Sequence, residues 1–204
     1  WAHEMGHGLT AILVGGTFHK LEIMPNLSGL ATSATSGRMA QAAVSSGGLV
    51  GAPICGALII ALGPRRKLTR IILGVLAGVL ALSLLLWVRN IFGALTVAAW
   101  FLVLALAAWK LPHRGRFILV QLLGIQLTLS ALKGWRYLFT DAAVINGQRM
   151  PSDVSAISDA LILPYWFWGG LLTLFNISLL LGAYWIALRS MIPADAPATK
   201  KATT

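Results

Sequence analysis

The chain has 204 residues, of which 57% are hydrophobic and only 11% charged, and its mean hydropathy is +0.79. That composition excludes an ordinary soluble domain and places the chain among membrane proteins. A net charge of +10 would suit nucleic acid, but the basic residues sit in short clusters between apolar runs and no nucleic-acid motif accompanies them, so nucleic acid is not expected as a partner.

The first segment, residues 1–14, has helical character but is too short to cross a bilayer. It reads as the second half of a span that begins before residue 1, and it carries His3, Glu4 and His7. In the stretch that follows, Phe18, Lys20 and Glu22 alternate with His19, Leu21 and Ile23, which is strand periodicity. Pro25-Asn26 signals a turn, and "LSGLATSAT" supplies a second strand. A short β-hairpin at the membrane surface is predicted over 17–35, with an irregular loop as the alternative.

Apolar runs then follow at about 40–62, 68–88, 92–109, 117–132 and 163–188. Each approaches the roughly 20 residues that cross about 30 Å of hydrocarbon. The fold class is therefore an all-α polytopic membrane protein with about six transmembrane helices, the first one truncated, and a hairpin after that first helix. In the second run Gly47, Gly51 and the pair Gly48 and Ala52 recur every four residues, giving a small-residue face for close helix packing, and Pro53 is a candidate kink. Tyr165, Trp166 and Trp168 fit an interfacial aromatic belt. Residues 1–190 read as a single domain and 191–204 as a disordered polar tail. Cys55 is the only cysteine, so no intrachain disulfide forms.

Ten of the 16 Lys and Arg residues fall in the 63–70 loop, the 110–116 loop and the tail after 188. The other six are Lys20, Arg38, Arg89, Lys133, Arg136 and Arg149. The positive-inside rule then makes the first group cytoplasmic and puts segments 15–38 and 134–162 outside a multi-pass protein of the cell membrane.

His3 and His7 are four residues apart, so on a helix they share a face and can direct two imidazole nitrogens at one cation. Glu4 is offset by about one hundred degrees, within reach of a water on that cation. This is the HExxH pattern of zinc hydrolases, in which the metal acidifies water and the glutamate takes its proton. Ionisable groups at mid-membrane depth cost about 2.5–3.5 kcal/mol each, which favours a functional role over a merely satisfied polar core. A catalytic zinc takes three protein ligands. His19 lies in the hairpin and His113 in a basic loop on the opposite side, so a carboxylate at Asp141, Asp153 or Asp159 is expected to complete the set.

"HEMGHG", the Gly-Gly pair eight residues later, "LSG" and "SSGGLVGAPICGALII" resemble the small bacterial branch of the site-2 protease family, the peptidase M50B-like intramembrane zinc metallopeptidases. The resemblance covers most of residues 3–62 and resumes around 150–170. In this branch a Ser/Thr-Asp-Ala element precedes a proline by about eleven residues, with tryptophans beyond. Ser152-Asp153-Val154 has that spacing to Pro164, followed by Trp166 and Trp168. Ser158-Asp159-Ala160 matches the tripeptide itself but sits only five residues before the proline. The resemblance therefore favours Asp153 as the third ligand. Capping of the last helix by Ser152 and Asp153 is the structural alternative. The Leu-Asp-Gly motif and the inserted peptide-binding domain of the larger site-2 proteases are absent, and the resemblance implies a site nearer the cytosolic face than the loop charges do.

The expectation is an enzyme that binds Zn²⁺ through His3, His7 and Asp153 and uses Glu4 to hydrolyse membrane-anchored protein substrates within the lipid bilayer. The alternatives are an inactive membrane scaffold that retains a metal site and a small ion or proton transporter.

Overall fold

The computed structural model describes residues 1–26, 28–130, 138–140, 142–145 and 148–191, and within 142–150 it describes the backbone only. Among the described residues there are seven helices and two hairpins. In chain order these are α1 (Ala2–Leu13), β1 (Thr17–Ile23), β2 (Gly29–Ala34), α2 (Arg38–Leu62), α3 (Arg66–Leu86), α4 (Ile91–Lys110), α5 (His113–Thr128), β3 (Ala142–Ile145), β4 (Gln148–Pro151), α6 (Asp153–Ala160) and α7 (Tyr165–Met191). The tail beyond residue 191 lies outside the described residues.

Among the described residues four helices, α2, α3, α4 and α7, are long and apolar enough to cross a membrane. The run expected over 117–132 is instead α5, whose 16 residues rise about 24 Å at 1.5 Å per residue. Its helix starts earlier than hydropathy suggests because the basic turn His113–Arg116 is already helical, and it stops at Thr128.

α2 is the hub, packing against α1, α5, α6 and α7, while α3 pairs with α4 and touches α5. Its small residues permit this. A Cβ on Gly56 would come within 2.5 Å of the Gly124 carbonyl of α5, and Ala57 and Ile60 pack against Ala183 and Ala187 of α7. Pro53 sits inside α2, where it removes one backbone donor without interrupting the helix.

α1 stops at Gly15, whose φ of +81° only glycine adopts without strain. Gly16 N–H donates to the Ala11 carbonyl and Gly15 N–H to that of Ile12, the paired bonds of a Schellman stop. That stop turns the chain into the predicted hairpin, with β1 antiparallel to β2 from Thr17↔Ala34 to Ile23↔Gly29. One detail corrects the alternation expected from sequence. A register shift between Phe18 and Lys20 puts Phe18 on the same buried side as Leu21 and Ile23, as an extra residue in one strand does.

The α3–α4 connection covers the outer edge of β1. Leu21 N–H donates to the Trp87 carbonyl, Arg89 N–H to that of Leu21, and the Asn90 side chain bonds both backbone groups of Ile23. Phe18 stacks on Trp87 at 4.9 Å, and Trp1 donates to Ser83. Hairpin and α1 are thereby fixed at the end of the bundle where α2 begins and α3 ends.

The β3–β4 hairpin is an element the sequence reading did not assign, although Asn146-Gly147 between the two strands is a strong hairpin dipeptide. Ser152 caps α6, a separate short helix, and not the last helix as expected. Its Oγ accepts from Ser155 N–H. Trp166 is exposed, as an interfacial aromatic would be, whereas Trp168 is half-buried against the cluster around Leu138 and Ile157.

Candidate metal centre

The site forms where α1 crosses the first half of α2. A Cβ added to Gly6 would stand 2.3 Å from the Gly47 carbonyl oxygen, and one added to Gly48 would stand 2.2 Å from His7 Nε2. Backbone-to-backbone approach of this kind requires small residues. It lets the His7 ring lie directly on α2. His7 Nδ1 is 2.8 Å from the Val44 carbonyl oxygen. A carbonyl only accepts, so Nδ1 donates, and in the neutral ring Nε2 is left with its lone pair.

That nitrogen faces His3. The two Nε2 atoms are 3.1 Å apart, and the rings are perpendicular with centroids 4.6 Å apart. The helical spacing expected from sequence thus places both imidazoles on one point.

A carboxylate from far along the chain meets them. α6 is pinned beside α2 by Val154 and Ile157, both buried with Leu49, Leu138 and Leu172. Its buried cap residue, Ser152, also donates to the Thr140 carbonyl. Asp153, in the first turn, places Oδ2 3.2 Å from His3 Nε2 and 3.4 Å from His7 Nε2. Burial pushes its carboxyl pKa up, but when the rings are protonated, hydrogen bonds from His3 and His7 and their charge more than reverse this and hold it well below the usual carboxylate range. A metal ion needs the same carboxylate ionised and both imidazoles neutral, so it would take the place of those protons. Ser152 caps α6 while Asp153, in its first turn, faces the two histidines, so a place at the helix start does not turn the carboxylate away from them.

Among the described residues, His3, His7 and Asp153 are the group that could hold a metal ion, with one ligand atom each and all three within 4.8 Å of one another. Asp159 is exposed six residues further along α6, outside the group, and its carbonyl accepts from Arg38. Asp141 lies outside the described residues. His19 is exposed and bonds Thr17, and His113 is at the start of α5.

Glu4 turns toward the hairpin. Its Oε2 accepts from Ala31 N–H at 2.9 Å, and Gly29 makes room, since a Cβ there would come within 2.4 Å of Glu4 Cγ. Ala31 pairs with Leu21, whose own N–H and C=O are turned the other way, toward Trp87 and Arg89. Ala31 therefore presents its backbone groups on the free edge of β2, and that edge runs past Glu4.

Comparison with known proteins agrees with this architecture. The family model described as Peptidase M50B-like matches residues 1–183. The chain belongs to the peptidase M50B-like family. No curated protein and no solved structure matches it. With four helices of spanning length, this M50B-like chain is a membrane protein of a metallopeptidase family.

Three contributors to the M50B-like site escaped sequence reasoning. The Val44 carbonyl and the Ala31 amide are backbone groups, which no residue type signals. Gly48 belongs to the small-residue face noted from spacing, but spacing does not say that its neighbour is a histidine ring.

Proposed function

We propose that the chain is an intramembrane zinc metalloprotease that hydrolyses peptide bonds of membrane-anchored substrates, with His3, His7 and Asp153 holding the metal and Glu4 moving the proton. The observation that carries this reading is the triangle of ligand atoms, with sides of 3.1, 3.2 and 3.4 Å. Zinc bonds of about 2.0–2.2 Å at tetrahedral angles separate neighbouring ligand atoms by about 3.3–3.6 Å. The two sets of distances nearly coincide, and a two-imidazole, one-carboxylate set leaves a fourth position open, as catalytic zinc requires. On the same reading α1 and α5 lie in the bilayer with the four spanning helices, within one domain over 1–190.

When bound, Zn²⁺ supplies Lewis acidity that makes water a nucleophile near neutral pH and polarises a carbonyl. The chain supplies the rest. Val44 and Gly48 fix the orientation of the His7 ring, and the α6 cap fixes Asp153. Glu4, with one oxygen held by Ala31, has the other free to accept a proton from the attacking water. It then passes that proton to the amine nitrogen as the C–N bond breaks.

A transmembrane substrate hides its carbonyls in helical hydrogen bonds and must unwind to be cut. The free edge of β2 offers backbone groups to an extended segment, and strand addition there would hold the unwound stretch beside Glu4.

The test is Glu4→Gln. Zinc content should stay at that of the wild type while cleavage of a membrane-anchored substrate falls by about 10²–10⁴-fold, the usual size of a positioned proton-transfer group. Undiminished cleavage would contradict the assignment.

A further inference from the structure

The opposite end of the bundle carries a second constellation. A cavity of about 400 Å³ is lined by Arg66, Lys67 and Arg70 of α3 and by His113 and Arg116 of α5. None of the ion pairs among the described residues involves these five. Like charges three and four residues apart on one helix repel one another.

Both helices also begin, as α2 and α4 do, without a side-chain cap or an acidic first turn. The N-caps of α3 and α5 are Arg65 and Pro112. The positive end of each helix dipole favours an anion there. Cations stand there instead. In addition, His113 Nδ1 and Arg116 Nε are buried and without a hydrogen-bond partner among the described residues. Uncompensated groups of this kind are costly, and local conflicts that persist in a folded chain tend to mark function.

One anion seated in the cavity would resolve all three conflicts. It would neutralise the cluster, complete the two helix starts and give the buried nitrogens an acceptor. Three arginines lining one cavity, Arg66, Arg70 and Arg116, suit a phosphate group, whose oxygens accept in pairs from a guanidinium.

The position indicates the source of that phosphate. α3 is long and apolar enough to span the membrane, and the cavity lies at its first turns, the headgroup level of such a helix. Gly74 and Gly78 follow Arg70 at four-residue spacing, and a Cβ on either would meet nothing within 4 Å. The face below Arg70 is thus an open, side-chain-free track toward the hydrocarbon. We infer that this cavity is a binding site for the phosphate headgroup of an anionic phospholipid, with an acyl chain lying along the Gly74–Gly78 face of α3. Charges that only orient a span need not converge on a cavity. These do.

The test is native mass spectrometry of the full chain, purified in phosphate-free detergent and titrated with phosphatidylglycerol or phosphatidylcholine. The site predicts one phosphatidylglycerol retained per chain, with at least tenfold preference over phosphatidylcholine. That retention should fall at least tenfold in the Arg70→Gln/Arg116→Gln double variant and stay unchanged in Arg38→Gln, a cation at the far end of α2. Millimolar inorganic phosphate should leave the lipid in place. If inorganic phosphate displaces the lipid and stabilises the protein equally well, the ligand is free phosphate and the lipid assignment fails. Equal retention of the two lipids, or undiminished binding in the double variant, overturns the site. The lipid comparison and the phosphate competition use the wild-type chain, so they decide the matter even if the double variant does not fold.

Discussion

The two ends of α2 handle polar groups in opposite ways. At its start, His7 has the Val44 carbonyl, Glu4 has the Ala31 amide, and Asp153 has two imidazoles, each partner arriving from a different element. Beyond its other end, five basic side chains face one cavity with no carboxylate paired to any of them among the described residues. The first arrangement is preorganised by the chain itself, with a shape that suits a small cation. The second is complete only when something negative arrives. Satisfied polar groups thus point to chemistry the protein performs, and unsatisfied ones to a ligand it lacks.

The contrast between the two ends is sharpest at Asp153. Asp153→Ala should abolish substrate cleavage and lower zinc content below one per chain, whereas Asp159→Ala should leave both near wild type, because Asp159 is exposed and outside the ligand group. Zinc analysis of the two purified variants beside a cleavage assay distinguishes them. If Asp159→Ala lost the metal while Asp153→Ala kept it, the site would have to be rebuilt around the other carboxylate.

Gly48→Ala should be the next largest effect. The new methyl would fall 2.2 Å from His7 Nε2, and forcing extra atoms into a packed interface typically costs about 1–3 kcal/mol. A lower melting temperature and weaker zinc retention are expected together. Gly182→Ala on α7 is the matched control, since a Cβ there meets nothing within 4 Å.

Ala31→Pro removes the amide that holds Glu4 while remaining tolerable on a free strand edge. Zinc content should not change, and cleavage should drop by about tenfold, a fraction of the loss expected for removing the base itself. Wild-type turnover in this variant would show that Glu4 needs no anchor. The smallest effect belongs to Ser152→Ala. Loss of the α6 cap should cost about 1 kcal/mol of stability and loosen zinc binding modestly, as read by thermal melts with and without added zinc.

Legibility in the sequence followed the range of the interaction. His3, Glu4 and His7 were readable because helical periodicity alone puts them together. The hairpin over 17–35 was readable from alternation and Pro25-Asn26, although the register shift after Phe18 was not, since one extra residue leaves no mark in composition. Asp153 could be preferred over Asp159 only through family resemblance, because the choice depends on how α6 docks against α2. The small residues of α2 announced close packing without naming α1 as the neighbour. The β3–β4 hairpin leaves only the dipeptide Asn146-Gly147 as its mark, without the alternation that made the first hairpin readable. The basic residues of α3 and α5 read as topology signals, because bringing Arg70 and His113, more than forty residues apart in sequence, to one cavity requires α3 and α5 to pack together.

X-ray absorption at the zinc edge, on the full chain in a membrane mimic, reads the ligand set of His3, His7 and Asp153 itself. One zinc per chain is expected, with two imidazole nitrogens and a carboxylate oxygen at about 2.0–2.2 Å, and loss of one imidazole contribution in His7→Ala. A chain that takes up no zinc, or a ligand shell that survives both His7→Ala and Asp153→Ala unaltered, would contradict that ligand set.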